Sequence, residues 1–206
     1  MKEQSQPLQQ HLQELRRRLV LSVIVVLAFT AAAFVFNEQL IRILMEPAKG
    51  FAEIPNGKPV YIDITEYIGS AMKVSLYTAI AASLPFLLYQ AVMFVAPGLT
   101  PRERTYLYIM LPLSVVAFLG GAAFGYKILF PPMLKFLLTY GSEVATPLPR
   151  VGSYINLMVN LLIWMGLIFE MPLVLFFLGK IGVVTHKWLA RQRRYAILLA
   201  FVLGAI

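Results

Sequence analysis

The sequence predicts an all-α integral membrane protein, a polytopic bundle of transmembrane helices. Three observations lead there. Hydrophobic residues make up 59% of the 206 residues and the mean hydropathy is +0.74; polytopic membrane proteins reach such values routinely and soluble domains seldom do. Four apolar runs continue for about 18 residues or more, the length a helix needs to cross the hydrocarbon core. The basic residues behind the formal charge of +8 cluster at the ends of those runs, as they do on membrane proteins.

The elements follow in order. The chain opens on His11-Leu12-Gln13-Glu14-Leu15-Arg16-Arg17-Arg18-Leu19. Leu8, Leu12, Leu15 and Leu19 share one helical stripe, and Glu14 lies about 200° around from Leu12, on the polar face. Residues 8–18 are therefore expected to lie on the inner leaflet as an amphipathic helix before the chain turns into its first span, 19–36. A long segment rich in Pro, Gly and acids covers 37–73. Residues 74–96 form the second span. In the short loop after it, Thr100 as N-cap, Pro101 at the first helical position and Glu103 two further on make a capping box that starts the third span, 106–126. The second long loop, 127–150, contains Phe130-Pro131-Pro132, which cannot continue a straight helix, so a bend or a short helix is expected there. Residues 151–179 form the fourth span, and its one charge is Glu170. Residues 195–206 begin a fifth run. Its 12 residues cover about 18 Å, short of the roughly 30 Å core, so the sequence reads as part of a longer chain.

Orientation follows from the loops. With the N-terminus cytoplasmic, that side holds eleven Lys and Arg residues against seven on the other, clustered at span ends where the positive-inside rule has most force. The N-terminus is therefore expected in the cytoplasm.

Several function classes lack their parts. There are no cysteines and only two histidines, His11 and His186. The sequence contains no metal-ligand spacing, nucleophile elbow, phosphate loop or paired intramembrane aspartates. No catalytic residue, metal site or cofactor is expected, and the basic charge reads as topology rather than nucleic-acid binding.

Two groups of residues invite a functional reading. The first is Glu170 with Pro172. An ionisable group inside a span costs a few kcal/mol and marks a candidate site, and Pro172 frees a backbone carbonyl beside it. On a helical wheel Asn156, Asn160 and Glu170 fall within about 40° of one another's common face; for the asparagines helix-packing glue is the simpler role. Gln90, in the second span, is the candidate to hydrogen-bond inside the bundle and is placed in this intramembrane polar site with Glu170. The second group is Glu14 and Glu103, two carboxylates on a very basic face. Glu14 can pair with Arg18 at i,i+4, with the arginines facing anionic lipid, and Glu103 can serve only as a cap. Together they also suit a bidentate guanidinium ligand. A proton-coupled secondary transporter using Glu170 is one reading, although no inverted repeat is present. A receptor for a peptide that enters the membrane is another.

The motifs then converge on a family. His11-Leu12-x-Glu14-Leu15-Arg16-x-Arg18-Leu19, Tyr89-Gln90, Ala96-Pro97-x-Leu99, Glu103-Arg104, Phe124-x-Tyr126 with Phe130-Pro131, and Phe169-Glu170-x-Pro172 resemble, in order, those of TatC, the multispanning subunit of twin-arginine protein translocation. The resemblance implies a six-span fold with a concave, glove-like face, of which this sequence would lack the sixth span. It implies a receptor for twin-arginine signal peptides on folded cargo, in a prokaryotic plasma membrane, working with small single-span subunits and further copies of itself. By the same resemblance Glu14 and Glu103 accept the arginines, Arg16 and Arg18 lie near that site, and Phe169, Glu170 and Pro172 belong to the intramembrane site. Pro47, Tyr126 and Tyr154 also match family positions. Arg150 departs from the pattern, since the family has an acid just before the fourth span.

Overall fold

The computed structural model describes residues 5–51, 54, 59–95, 100–140, 142, 144 and 146–180, with the backbone alone at 5–11, 95 and 101–104. The fifth expected run, 195–206, and His186 lie outside the described residues. The described chain is helical: α1 (Ser5–Val35), α2 (Asn37–Met45), a 3-10 turn (Glu46–Gly50), α3 (Glu66–Val95), α4 (Pro101–Phe124), a π-helical turn (Gly125–Leu129), α5 (Phe130–Thr139) and α6 (Val151–Lys180). Among the described residues four stretches are long and apolar enough to cross a membrane: Leu12–Val35, Glu66–Phe94, Thr105–Thr139 and Val151–Lys180.

The helices outrun the charge-free runs that foretold them. α3 starts at Glu66 and takes in Lys73, because both side chains find partners on α6. The third span passes through the π-helical turn into α5, where the prolines occupy the first turn and therefore cost few intrahelical hydrogen bonds. The turn expected between an amphipathic surface segment and the first span is not formed. α1 runs unbroken from Ser5 to Val35, and beyond Pro7 no proline or glycine interrupts it. Pro85, Pro112 and Pro172 sit inside α3, α4 and α6, each removing one backbone bond. Hydroxyls within the spans turn back onto their own helix, as in Ser75 to the Ala71 carbonyl and Ser83 to the Ala79 carbonyl, both at 2.7 Å, so they add no unsatisfied donor to the hydrocarbon.

α1 packs along α3 and α4 along α6, while α3 meets α6 and joins the two pairs. Glycines bring α4 and α6 together. A Cβ at Gly121 would stand 2.5 Å from the Met165 carbonyl oxygen, and one at Gly166 would stand 2.5 Å from the Phe118 ring; small residues permit such close approach between membrane helices. The densest core lies at one end, here the loop end. There Ile41 of α2, Ala48, Ile54, Val74 of α3, Phe130 and Leu134 of α5, and Ile155 and Met158 of α6 are buried in one cluster. Away from it large apolar side chains such as Leu27, Val116 and Trp164 are 60%, 65% and 64% exposed, a surface that requires hydrocarbon rather than water around it.

Two features fasten the loop end. Val60 donates to the Pro149 carbonyl at 3.1 Å and accepts from the Val151 N–H at 2.8 Å. The Glu66 carboxylate accepts from the Gly152 N–H at 2.8 Å, from Arg150 at 3.0 Å and from the Ile62 N–H at 3.1 Å. A carboxylate from α3 thus caps the first turn of α6, whose N–H groups have no partner within their own helix.

Candidate functional site

The opposite end, where α1 begins, α3 ends and α4 starts, carries the first group. Arg18 donates to Oε1 of Glu14 through Nε at 3.0 Å and through a terminal nitrogen at 2.6 Å. Its other terminal nitrogen donates to Oε1 of Gln90 at 2.9 Å. One guanidinium therefore ties a carboxylate on its own helix to an amide on α3. The i,i+4 pairing expected from the sequence is formed, but Gln90 joins it rather than Glu170. The reason is rotational: Leu88, which faces the deep hollow described below, is two residues from Gln90, or about 200° around α3. The side chain of Arg18 retains 22% of its surface and that of Glu14 36%, so the pair is reachable from solvent. Beside it lies a cavity of about 670 Å³ lined by Gln13, Glu14, Arg17, Arg18, Leu21, Tyr89, Gln90 and Met93. Arg16 does not line it; it lines an adjoining cleft that shares Gln13, Arg17 and Leu21 with this cavity. α4 starts at Pro101, as the capping box required, and its start stands at this same end of the bundle. The side chain of Glu103 lies outside the described residues.

The second group lies deeper. Oε2 of Glu170 accepts a hydrogen bond from the Ser114 hydroxyl at 2.5 Å. Oε1 is buried and, among the described residues, has no hydrogen-bond partner. The carboxyl looks into a hollow of about 340 Å³ walled by Leu84, Leu88 and Val92 of α3, Leu107, Met110 and Leu111 of α4, and Leu167, Leu173, Val174 and Phe177 of α6. Its environment is thus a shared apolar hollow among three helices. A buried acceptor without a partner is a strong demand for a polar group from elsewhere. Ser114 was not singled out from the sequence, because a lone serine in an apolar helix ordinarily bonds its own backbone.

Not every residue expected here is brought together. Phe169 packs on Phe124 with ring centroids 5.6 Å apart and Pro172 is exposed; neither lines the hollow. Asn156 stands at the loop end and accepts from Lys73 at 3.3 Å. The common face of Asn156, Asn160 and Glu170 therefore does not make one site, because the helix rise separates Asn156 from Glu170 by about 20 Å.

A third set is structural. Tyr126 donates to the Ile43 carbonyl at 2.6 Å and Tyr154 to the Leu44 carbonyl at 3.0 Å. Both carbonyls belong to the last turn of α2, where that of Ile43 also accepts the Glu46 N–H. The 3-10 turn carrying Pro47 follows at once. Two phenols from distant helices thus hold the end of α2 against the core.

This arrangement can be compared with known proteins. The family model described as Sec-independent protein translocase protein (TatC) matches residues 10–206. The chain belongs to the TatC family. Its TatC relatives include the Sec-independent protein translocase protein TatC of Aquifex aeolicus, 39% identical over 97% of this chain and 83% of the relative. That of Carboxydothermus hydrogenoformans is 32% identical over 100% of this chain and 83% of the relative. A solved crystal structure of the twin arginine translocase receptor TatC in the detergent DDM superposes with a TM-score of 0.84 at 37% identity, covering 95% of this chain and 87% of that one. The family resemblance read from the motifs is therefore correct, as is the all-helical membrane fold. The protein is a multispanning component of the Sec-independent, twin-arginine translocase. Within this TatC-family member the departure at Arg150 has a structural counterpart, its ion pair with Glu66.

Proposed function

We propose that this chain is the receptor subunit that captures twin-arginine signal peptides, with its N-terminus and the Glu14 end of the bundle in the cytoplasm of a prokaryotic cell. The observation that carries the reading is the Glu14–Arg18–Gln90 group at the edge of a large cavity. It is already a carboxylate-to-guanidinium site with an amide acceptor beside it. Arginine stays charged and forks onto such acceptors, which lysine does not reproduce. Glu103, on the helix start at the same end, supplies the second carboxylate.

The deep hollow serves a second step. An apolar helix bearing one polar residue, from the signal peptide or from a small single-span partner subunit, fits walls of leucine and valine and satisfies the second oxygen of Glu170. Further copies of this chain assemble beside it. No covalent chemistry on the cargo is needed. The unpartnered Oε1 of Glu170 also favours a second reading, a proton-coupled transporter; proton flux in vesicles containing this protein alone distinguishes it.

The test is photo-crosslinking of a twin-arginine peptide to the protein in membranes. Capture lost in Glu14→Ala and Glu103→Ala, with helicity and melting unchanged, supports the receptor reading. Capture retained in the double variant contradicts it.

A further inference from the structure

A polar notch opens between α3 and α6 at the loop end, far from both groups above. Its volume is about 400 Å³, and its lining includes Asp63, Glu66, Lys73, Arg150, Ser153 and Asn156. Of the two acids only Glu66 is paired with a cation. It is engaged by Arg150, Gly152 and Ile62, whereas Asp63 is exposed, keeps its charge and accepts only from the N–H and hydroxyl of Thr65, both at 3.2 Å. The two cations have donors to spare. Lys73 is exposed, donates only at 3.3 Å to the neutral Asn156, and has no ion pair among the described residues. Arg150 shows one hydrogen bond and one ion pair, both to Glu66, and 46% of its side chain is exposed, so most of a guanidinium's five donors point elsewhere.

The placement decides what kind of anion comes here. Lys73 lies seven residues inside the span Glu66–Phe94, about 10 Å along the helix from Glu66. An ammonium at that level, with no ion pair among the described residues, sits where lipid headgroups meet the protein, and its stem can extend along apolar surface to reach them. We propose that this notch binds the phosphate diester of a membrane phospholipid, held between Lys73 and Arg150, with the Ser153 hydroxyl as an added donor. The lipid then seals the α3–α6 seam that joins the two helix pairs.

Native mass spectrometry of the full chain released from detergent, titrated with phosphatidylglycerol, tests this. The wild-type protein should retain one phosphatidylglycerol more tightly than the rest. Lys73→Gln should weaken that first binding about tenfold, and Lys73→Arg should keep it. Asn156→Asp guards against misfolding as the cause, since it gives Lys73 an internal counter-ion without removing a contact, and it should weaken binding similarly at unchanged melting temperature. Diacylglycerol, which lacks the phosphate, should not compete, and neither should millimolar inorganic phosphate. Equal first binding in wild type, Lys73→Gln and Asn156→Asp overturns the proposal. So does equal retention of diacylglycerol, or displacement of the lipid by inorganic phosphate, which would make the ligand a free anion.

Discussion

The Ser114 hydroxyl reaches from α4 to Oε2 of Glu170 on α6 at 2.5 Å and is, among the described residues, the one hydrogen-bond donor to that carboxyl. Its partner oxygen, buried among leucines and valines, has none among the described residues. Removing the donor while keeping the carboxyl leaves a buried group unsatisfied, which costs about 1–3 kcal/mol. Ser114→Ala should therefore lower unfolding stability in detergent by about that much. Glu170→Leu fits the apolar walls and removes the demand, so it should be neutral or stabilising while impairing export. A Glu170→Leu variant that exports at the wild-type rate would strip the hollow of a functional role.

Adjacent glycines give opposite expectations. A Cβ at Gly120 meets nothing within 4 Å, whereas one at Gly121 meets the Met165 carbonyl oxygen at 2.5 Å, a backbone atom that cannot swing aside. Gly120→Ala should be neutral or raise stability by up to about 1 kcal/mol through helix propensity. Gly121→Ala should lower it by about 1–3 kcal/mol through overpacking. Thermal unfolding followed by circular dichroism compares the two directly.

The two phenols on α2 make separable contributions. Tyr126→Phe and Tyr154→Phe each remove one hydrogen bond to a helix-end carbonyl, at a cost of about 1 kcal/mol. Hydrogen exchange at residues 37–45 should quicken in either variant and more in the double variant. Unchanged exchange there would mean the phenols do not hold α2.

At the rim, geometry matters beyond charge. Arg18 uses three nitrogens to bridge Glu14 and Gln90, an arrangement a lysine ammonium cannot copy. Arg18→Lys should keep the net charge yet weaken capture of a twin-arginine peptide several-fold, and Gln90→Leu should do the same by freeing Arg18 from α3. Fluorescence titration with a labelled peptide reads both. Affinities equal to wild type would show that the bridge is incidental.

What the sequence disclosed, and what it hid, follows from the range of each interaction. The spans were legible because hydrocarbon demands long apolar runs, and Glu170 stood out as the one charge within such a run. Helix ends were misjudged because charge was taken as a boundary, whereas Glu66 and Lys73 are tolerated inside α3 by partners on α6, 86 and 83 residues away. Gln90 was assigned to the deep site because a pattern within one helix does not reveal which neighbour its face meets. Tyr126 and Tyr154 were matched to the family by motif, but their reason, two carbonyls in the last turn of α2 within reach of the phenols, exists only in three dimensions.

The account rests on a carboxylate rim that recognises paired arginines, and equilibrium binding tests that most directly. A twin-arginine signal peptide and its twin-lysine counterpart would be titrated against the full chain in nanodiscs at low and at physiological salt. The account expects the arginine peptide to bind at least tenfold more tightly, the preference to vanish in the Glu14→Gln, Glu103→Gln double variant, and affinity to fall with salt as it does for exposed charge contacts. Equal binding of the two peptides, or an arginine preference that survives loss of both carboxylates, would contradict it.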